Sequence, residues 1–155
     1  MPKLRLKQLA QDGAADGDVM TWVDSQGEWE PAAPIFGADY QYASAPSETT
    51  TSSTSPITKL SMTTPTLTGT YRVAFGLALK HESSNSHSLG SFNLDPGAIS
   101  FQIEPKDADN TYSYQSARDI VFSAESRTFE ITHSTSNGSH LSTALDAYIE
   151  FFRVA

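Results

Sequence analysis

No cysteine occurs in the 155 residues. That excludes a disulfide framework, thiolate metal sites and thiol nucleophiles. Bases are scarce: ten Lys and Arg stand against eighteen Asp and Glu, for a formal net charge of −8. A nucleic-acid binder would need a strong basic patch against that average, and none is expected. No apolar run approaches the roughly 18 residues that span a bilayer. The opening MPKLRLKQLAQDG lacks the continuous apolar stretch of a secretory signal. The expectation is therefore a soluble chain made in a cytoplasm, without membrane insertion. The phosphate loop, the Gly-rich dinucleotide fingerprint and the G-x-S-x-G elbow are all missing.

What fills the gap is hydroxyl, with 21 Ser and 16 Thr, alongside eight Phe and six Tyr. Such a composition suits sheet better than helix. Charge is also segregated. Residues 1–10 carry Lys3, Arg5 and Lys7 and no acid, and residues 11–50 carry eight acids and no base. The remainder is mixed. That pattern divides the chain into an arm (1–42), a linker (43–56) and a body (57–155). The arm holds Trp22, Trp29, Phe36, Tyr40 and Tyr42, which is too aromatic for a disordered acidic tail.

Along the arm, KLRLKQL alternates, with Lys3, Arg5 and Lys7 on one side and Leu4 and Leu6 on the other. That period predicts a strand suited to a partner's sheet edge. Two Asp-Gly pairs follow. Val19–Val23, the turn Asp24-Ser25-Gln26-Gly27 and Glu28–Glu30 then read as a hairpin with Trp22 and Trp29 flanking the turn. Residues 43–56, ASAPSETTTSSTSP, are almost without apolar content and predict an extended, solvated linker.

In the body, ITKLSMTTPTL predicts an edge strand or one broken at Pro65. TYRVAFGLALK is the strongest strand in the chain. Tyr71, Val73, Phe75, Leu77 and Leu79 share one face; Arg72, Ala74, Gly76, Ala78 and Lys80 share the other. An Ala-Gly-Ala row between charges suits close packing against another surface, so Arg72, Ala74, Gly76 and Ala78 are the candidate interface between copies. Asp95-Pro96-Gly97 and Asn137-Gly138 mark turns. YSYQSARDIVF and SRTFEITHS join around Ala124-Glu125. LDAYIEFFRVA closes the chain as a strand expected to lie centrally. The fold expected is all-β, an antiparallel sandwich or jelly roll with an extended N-terminal arm carrying the hairpin.

Three stretches together resemble bacteriophage virion structural proteins of the head-decoration, head-fibre or short tail-fibre type. In the arm they are LKQLAQDGA and then Gly17, Val19, Met20, Trp22, Trp29 and Pro31. In the body they are Gly69–Leu79, Ile103–Asp107 and Ala147–Ala155. Met20 stands where that pattern usually has Leu, and the turn between the tryptophans has no Asn-Gly. The resemblance implies a non-enzymatic homotrimer on the capsid surface, present in the host cytoplasm during assembly. Its partner would be the major capsid protein or another virion protein. Anchoring is expected from Lys3, Leu4, Arg5, Leu6, Lys7, Trp22 and Trp29. The alternative is the carbohydrate-binding tip of a tail fibre, recognising a host surface glycan through Tyr112, Tyr114 and Tyr148.

The chemistry-bearing residues form no catalytic set. His81, Glu82 and His87 lack a third rigid ligand, and His133 and His140 read as surface groups. Asp12, Asp16 and Asp18 lack the spacing of a calcium loop. Glu104, Asp107 and Asp109 read as a charged loop end. No catalytic residue, cofactor or metal is expected.

Overall fold

The computed structural model describes residues 39–93 and 108–154 in full. For Val19–Val23, Glu28–Ala32 and Ala98–Ile103 it describes the backbone. Among the described residues there are eleven strands: β1 (Val19–Val23), β2 (Glu28–Ala32), β3 (Gln41–Ala45), β4 (Thr49–Thr51), β5 (Ile57–Thr63), β6 (Leu67–His81), β7 (Ser88–Asn93), β8 (Ala98–Ile103), β9 (Thr111–Glu125), β10 (Thr128–Thr135) and β11 (Ser142–Arg153). No helix long and apolar enough to cross a membrane occurs among the described residues.

The strands form two body sheets. One has the order β5-β10-β7-β8; the other has the order β3-β11-β6-β9, with β4 also on β11. Counted as one leg, β3 and β4 begin a series of eight. The first leg pairs with the last (β11), the second (β5) with β10, the third (β6) with β9, and the fourth (β7) with β8, all antiparallel. This is one long hairpin rolled up on itself. The β11–β6 and β10–β7 ladders close the curl. That path is a jelly roll, as the strand pattern predicted. A separate two-stranded ladder, β1–β2, sets Trp22 directly opposite Trp29.

Alternation builds the core. Tyr71, Val73, Phe75, Leu77 and Leu79 of β6 are buried, together with Ala147, Ile149 and Phe151 of β11. The facing sheet contributes Met62, Phe92, Phe129 and Ile131. Phe75 and Phe92 stack with ring centroids 3.9 Å apart, and Tyr71 meets Phe122 and Phe151 edge to face. β11 lies between β6 and the β3/β4 leg, so the C-terminal strand is central, as its apolar content required. Pro65 falls in the break between β5 and β6, and β5 is an edge strand.

The segment 43–56 corrects the expectation of a solvated linker. Gln41–Ala45 pairs with β11 from Phe151 to Ala147, and Thr49–Thr51 pairs from Ala144 to Ser142. Ala43 packs on the core, the Thr50 and Thr143 hydroxyls lie 3.1 Å apart, and the Ser53 carbonyl accepts from the Thr135 amide at 3.0 Å. Threonine is a good strand former. A hydroxyl-rich segment can satisfy its backbone on a sheet edge while looking like a tether in hydropathy. Pro46, which lacks an N–H, falls between the two strands. The body therefore begins at β3, not at Ile57.

Two irregularities face each other across the sandwich. On β11, Ala144 pairs with Leu79 but Asp146 pairs with Ala78, leaving Leu145 as an extra residue. On β5, Leu60 pairs with Ile131 but Thr58 pairs with Thr132, leaving Lys59 as the extra residue. Bulges redirect side chains in this way. The Lys59 side chain is buried. Its Nζ donates to the Ala144 carbonyl at 3.3 Å, to Thr49 Oγ1 at 3.3 Å and to the Ser47 carbonyl. Burial holds the Lys59 pKa below its ordinary value, with Asp146 and Glu48 opposing that shift. The ammonium ties the first leg, the second leg and the β11 bulge together. Replacing Lys59 with Met keeps the stem and strips these acceptors of their donor. We expect a loss of about 1–3 kcal/mol, read as a lower urea midpoint with an unchanged slope.

Candidate functional site

The outward side chains of the β3-β11-β6-β9 sheet form rows fixed by register. The first row crosses Asp119, Arg72 and Phe152; the next, Ala117, Ala74, Glu150 and Tyr42. Gln115, Gly76, Tyr148 and Ser44 follow, and then Ser113, Ala78 and Asp146. In the first row Arg72 grips Asp119 with two bonds of 2.8 and 3.0 Å. The guanidinium holds the Asp119 carboxyl below its ordinary pKa. Both groups are about half exposed, and such surface pairs add little stability.

The Ala74-Gly76-Ala78 row, predicted to be small for close approach of another surface, is approached first by a side chain of its own chain. The Tyr148 ring lies across Gly76. A Cβ there would stand 2.3 Å from Tyr148 Cε1 and 2.9 Å from Cζ. Ala78 is buried and Ala74 half-buried. Tyr148 also stacks on Tyr42, centroids 6.4 Å apart and planes 21° off parallel. Burial raises the Tyr148 phenol pKa, and Glu150, Tyr42 and Asp146 push it the same way. A pocket opens beside the ring, lined by Gly76, Leu77, Ala78, Ser113, Tyr114, Gln115, Asp146 and Tyr148. Tyr42 is 54% and Tyr40 57% exposed. The face thus combines aromatic rings, three carboxylates and an amide.

The other predicted positions fall elsewhere. Tyr112 and Tyr114 are half-buried on the opposite side of β9, with the Tyr114 ring 6.0 Å from Phe75. Tyr114 nonetheless lines the pocket beside Tyr148. The grouping of Tyr42, Gln115 and Asp146 around Tyr148 was not anticipated. The Tyr40/Tyr42 alternation in DYQYAS was its one visible sign. Lys3, Leu4, Arg5, Leu6, Lys7, Asp12, Asp16, Asp18, Glu104 and Asp107 lie outside the described residues, as do the side chains of Trp22 and Trp29. Asp109 takes a positive φ of 62° and donates its amide to the His81 carbonyl at 2.8 Å.

Two histidines read as polar surface or loop groups are instead buried at the polar end of the sandwich. His81 ends β6 and His133 lies on β10, each 1% exposed. His81 Nδ1 lies 3.0 Å from the Ser83 carbonyl oxygen and 3.1 Å from the Ser83 amide, and Nε2 lies 3.0 Å from Thr135 Oγ1. Thr135 Oγ1 passes its own proton to the Asn137 carbonyl at 3.1 Å. His140 approaches Glu82 at 3.5 Å. No three His, Asp or Glu side chains converge as a metal site among the described residues.

His133 sits 3.4 Å from Ser142 Oγ through Nδ1, and its Nε2 is buried without a hydrogen-bond partner among the described residues. Burial, with Lys59 adding to it, lowers its pKa to about 4. Between its unfolded value near 6.5 and that value, the unfolded chain binds the extra proton. Stability due to the neutral ring is present above about pH 6.5 and lost as pH falls toward 4. We expect a Tm that declines from pH 7 to pH 4.5 and a shallower decline in His133→Asn. Gly76→Ala is a second check: the new methyl displaces Tyr148, lowering stability by about 1–2 kcal/mol. In a Tyr148→Ala background most of that penalty disappears.

No protein-family model and no curated protein matches the sequence. Among solved structures the chain is similar to the VP2 subviral particle of infectious bursal disease virus, at 9% identity and a TM-score of 0.39. That alignment covers 89% of this chain and 42% of the other. It is also similar to the Gx strain of that virus, at 12% identity and a TM-score of 0.39, covering 83% of this chain and 40% of the other. The chain spans about two-fifths of the length of the chains it matches.

Proposed function

We propose that the chain is a non-enzymatic structural protein of a virus particle. The N-terminal hairpin attaches it to a capsid protein, and the jelly roll is displayed outward. The observation that carries this reading is the β1–β2 ladder, a two-stranded sheet separate from both body sheets, with Trp22 opposite Trp29. A lone hairpin is marginal in water, so its two indoles call for a surface. Burying two Trp of about 200 Å² each supplies up to roughly 10 kcal/mol of gross stabilisation, most of which ordering consumes. The virion-protein pattern carried by Gly17, Val19, Trp22, Trp29 and Pro31 supports the same assignment. So does the basic, alternating Lys3–Lys7 stretch that precedes it.

In this reading the protein is a homotrimer, and three arms multiply weak contacts through effective concentration. An antibody to the body should label particles pelleted from cells that carry the gene. Trp22→Ala with Trp29→Ala should move the protein to the soluble fraction while its far-ultraviolet spectrum stays unchanged. Full occupancy of particles by that variant would place the anchor elsewhere. Light scattering of the full chain tests the trimer, and a monomer at micromolar concentration would remove it.

A further inference from the structure

The geometry points to a glycan subsite on the outer face of the β3-β11-β6-β9 sheet. Tyr148 and Tyr42 would be its aromatic wall, and Asp146, Gln115 and Ser113 its hydroxyl-binding groups. Several observations converge on one ligand chemistry. The pocket beside Tyr148 is lined in part by the small residues Gly76 and Ala78. Its polar rim differs in kind around the ring. Asp146 accepts only, Gln115 donates and accepts through one planar amide, and Ser113 does both through a rotating hydroxyl. Gln115, Ser113 and Asp146 are all exposed, so they bring unspent hydrogen-bonding capacity to the pocket.

Each simpler ligand leaves part of this set unused. An anion would meet Asp146 and Glu150, which flank Tyr148 on the same strand face. An apolar ligand would strip water from three polar groups and return nothing. A bare cation would pair with Asp146 and stack on Tyr148 but leave the amide donors of Gln115 idle. A pyranose uses all of them, its C–H face on the phenol ring and its hydroxyls on carboxylate, amide and serine. Gln115 on β9 and Tyr148 on β11 lie two strand spacings apart, roughly 10 Å, the width of one to two sugar rings. Tyr42, stacked on Tyr148 and 54% exposed, continues the aromatic surface toward β3 for a second ring. The β11–β6 ladder fixes the backbone positions of Gly76, Ala78, Asp146 and Tyr148 relative to one another. This inference does not rest on the capsid attachment reading, because the arm and the outer face are separate parts of the chain.

The test uses the full chain and saturation-transfer NMR with methyl α-D-glucoside, methyl α-D-mannoside and methyl β-D-galactoside. Nα-acetyl-lysine methylamide is the cationic comparison. At least one glycoside should receive saturation through its ring C–H protons, with millimolar affinity. Gln115→Ala and Asp146→Asn, both at exposed positions, should each weaken it at least fivefold. Tyr42→Ser should reduce saturation of a disaccharide more than of the monosaccharide. The Trp22→Ala, Trp29→Ala variant should bind the glycoside normally even if it no longer attaches to particles, which separates the two readings. Absence of transfer to every glycoside would overturn the assignment. So would transfer unchanged in the Gln115 and Asp146 variants, or preferential binding of the lysine derivative.

Discussion

The bulge at Leu145, capped by the Lys59 ammonium, is the constraint on which both faces of the central sheet depend. Before it, Ser142 and Ala144 point inward; after it, Ala147, Ile149 and Phe151 do. The inward set changes from even to odd positions because one extra residue enters the ladder. Were Leu145 to pair regularly instead of bulging, the register that keeps Ala144 against Leu79 would turn Asp146, Tyr148 and Glu150 into the core. It would also expose Ile149 and Phe151. A one-residue slip reverses a whole strand, and here it would bury two carboxylates. The register is therefore enforced by the cost of the alternative as well as by the contacts made. Lys59 reaches the bulge from a bulge of its own on the opposite sheet. The two distortions share one buried donor.

That arrangement explains why one end of the sandwich is polar. Around Lys59 the buried residues are His81, His133, Ser88, Thr132, Thr135 and Ser142, whereas the Phe75–Phe92 stack and its aromatic neighbours fill the rest. Small hydroxyls suit the polar end because each can donate to a carbonyl and accept from an amide within its own turn, as Thr135 does with Asn137. His133 remains neutral there because its ring is buried and Lys59 lies beside it. A second cation next to Lys59 would need a carboxylate, and Asp146, which acts on Lys59 together with Glu48, faces the outer side of the sheet.

Much of the fold was legible because its strongest strands alternate cleanly. Tyr71 to Leu79 and Ala147 to Phe151 announced their buried faces. The pairing of Trp22 with Trp29 followed from a four-residue turn between short apolar runs. What stayed hidden was hidden for physical reasons. Thr49–Thr51 looks solvated by hydropathy, yet its strand is specified by backbone pairing, which composition does not register. The Leu145 bulge breaks alternation by a single residue and is visible only once β6 supplies a partner. His133 carries a polar side chain at a buried position, so a burial reading based on residue type assigns it to the surface. The outer-face cluster could not be assembled from the chain because Tyr42, Gln115 and Tyr148 come from three strands. Only register brings them into neighbouring rows.

The same ladder therefore sets the core and the outer face, and the two cannot vary independently. Glycine at 76 illustrates the coupling. Its neighbours Phe75 and Leu77 point into the core, where their packing requires an unbroken strand. Its own missing side chain makes room outside for Tyr148. Any larger residue at 76 would leave the inward pattern untouched and still disturb the outer face, because Tyr148 would have to leave the sheet and with it the wall of the pocket. Conversely, losing the Tyr148 ring would uncover backbone at Gly76 and give the central strand an exposed seam. Small residue and large ring thus form one unit across β6 and β11. The row that looked suited to a neighbouring copy is first of all matched to a tyrosine of its own chain.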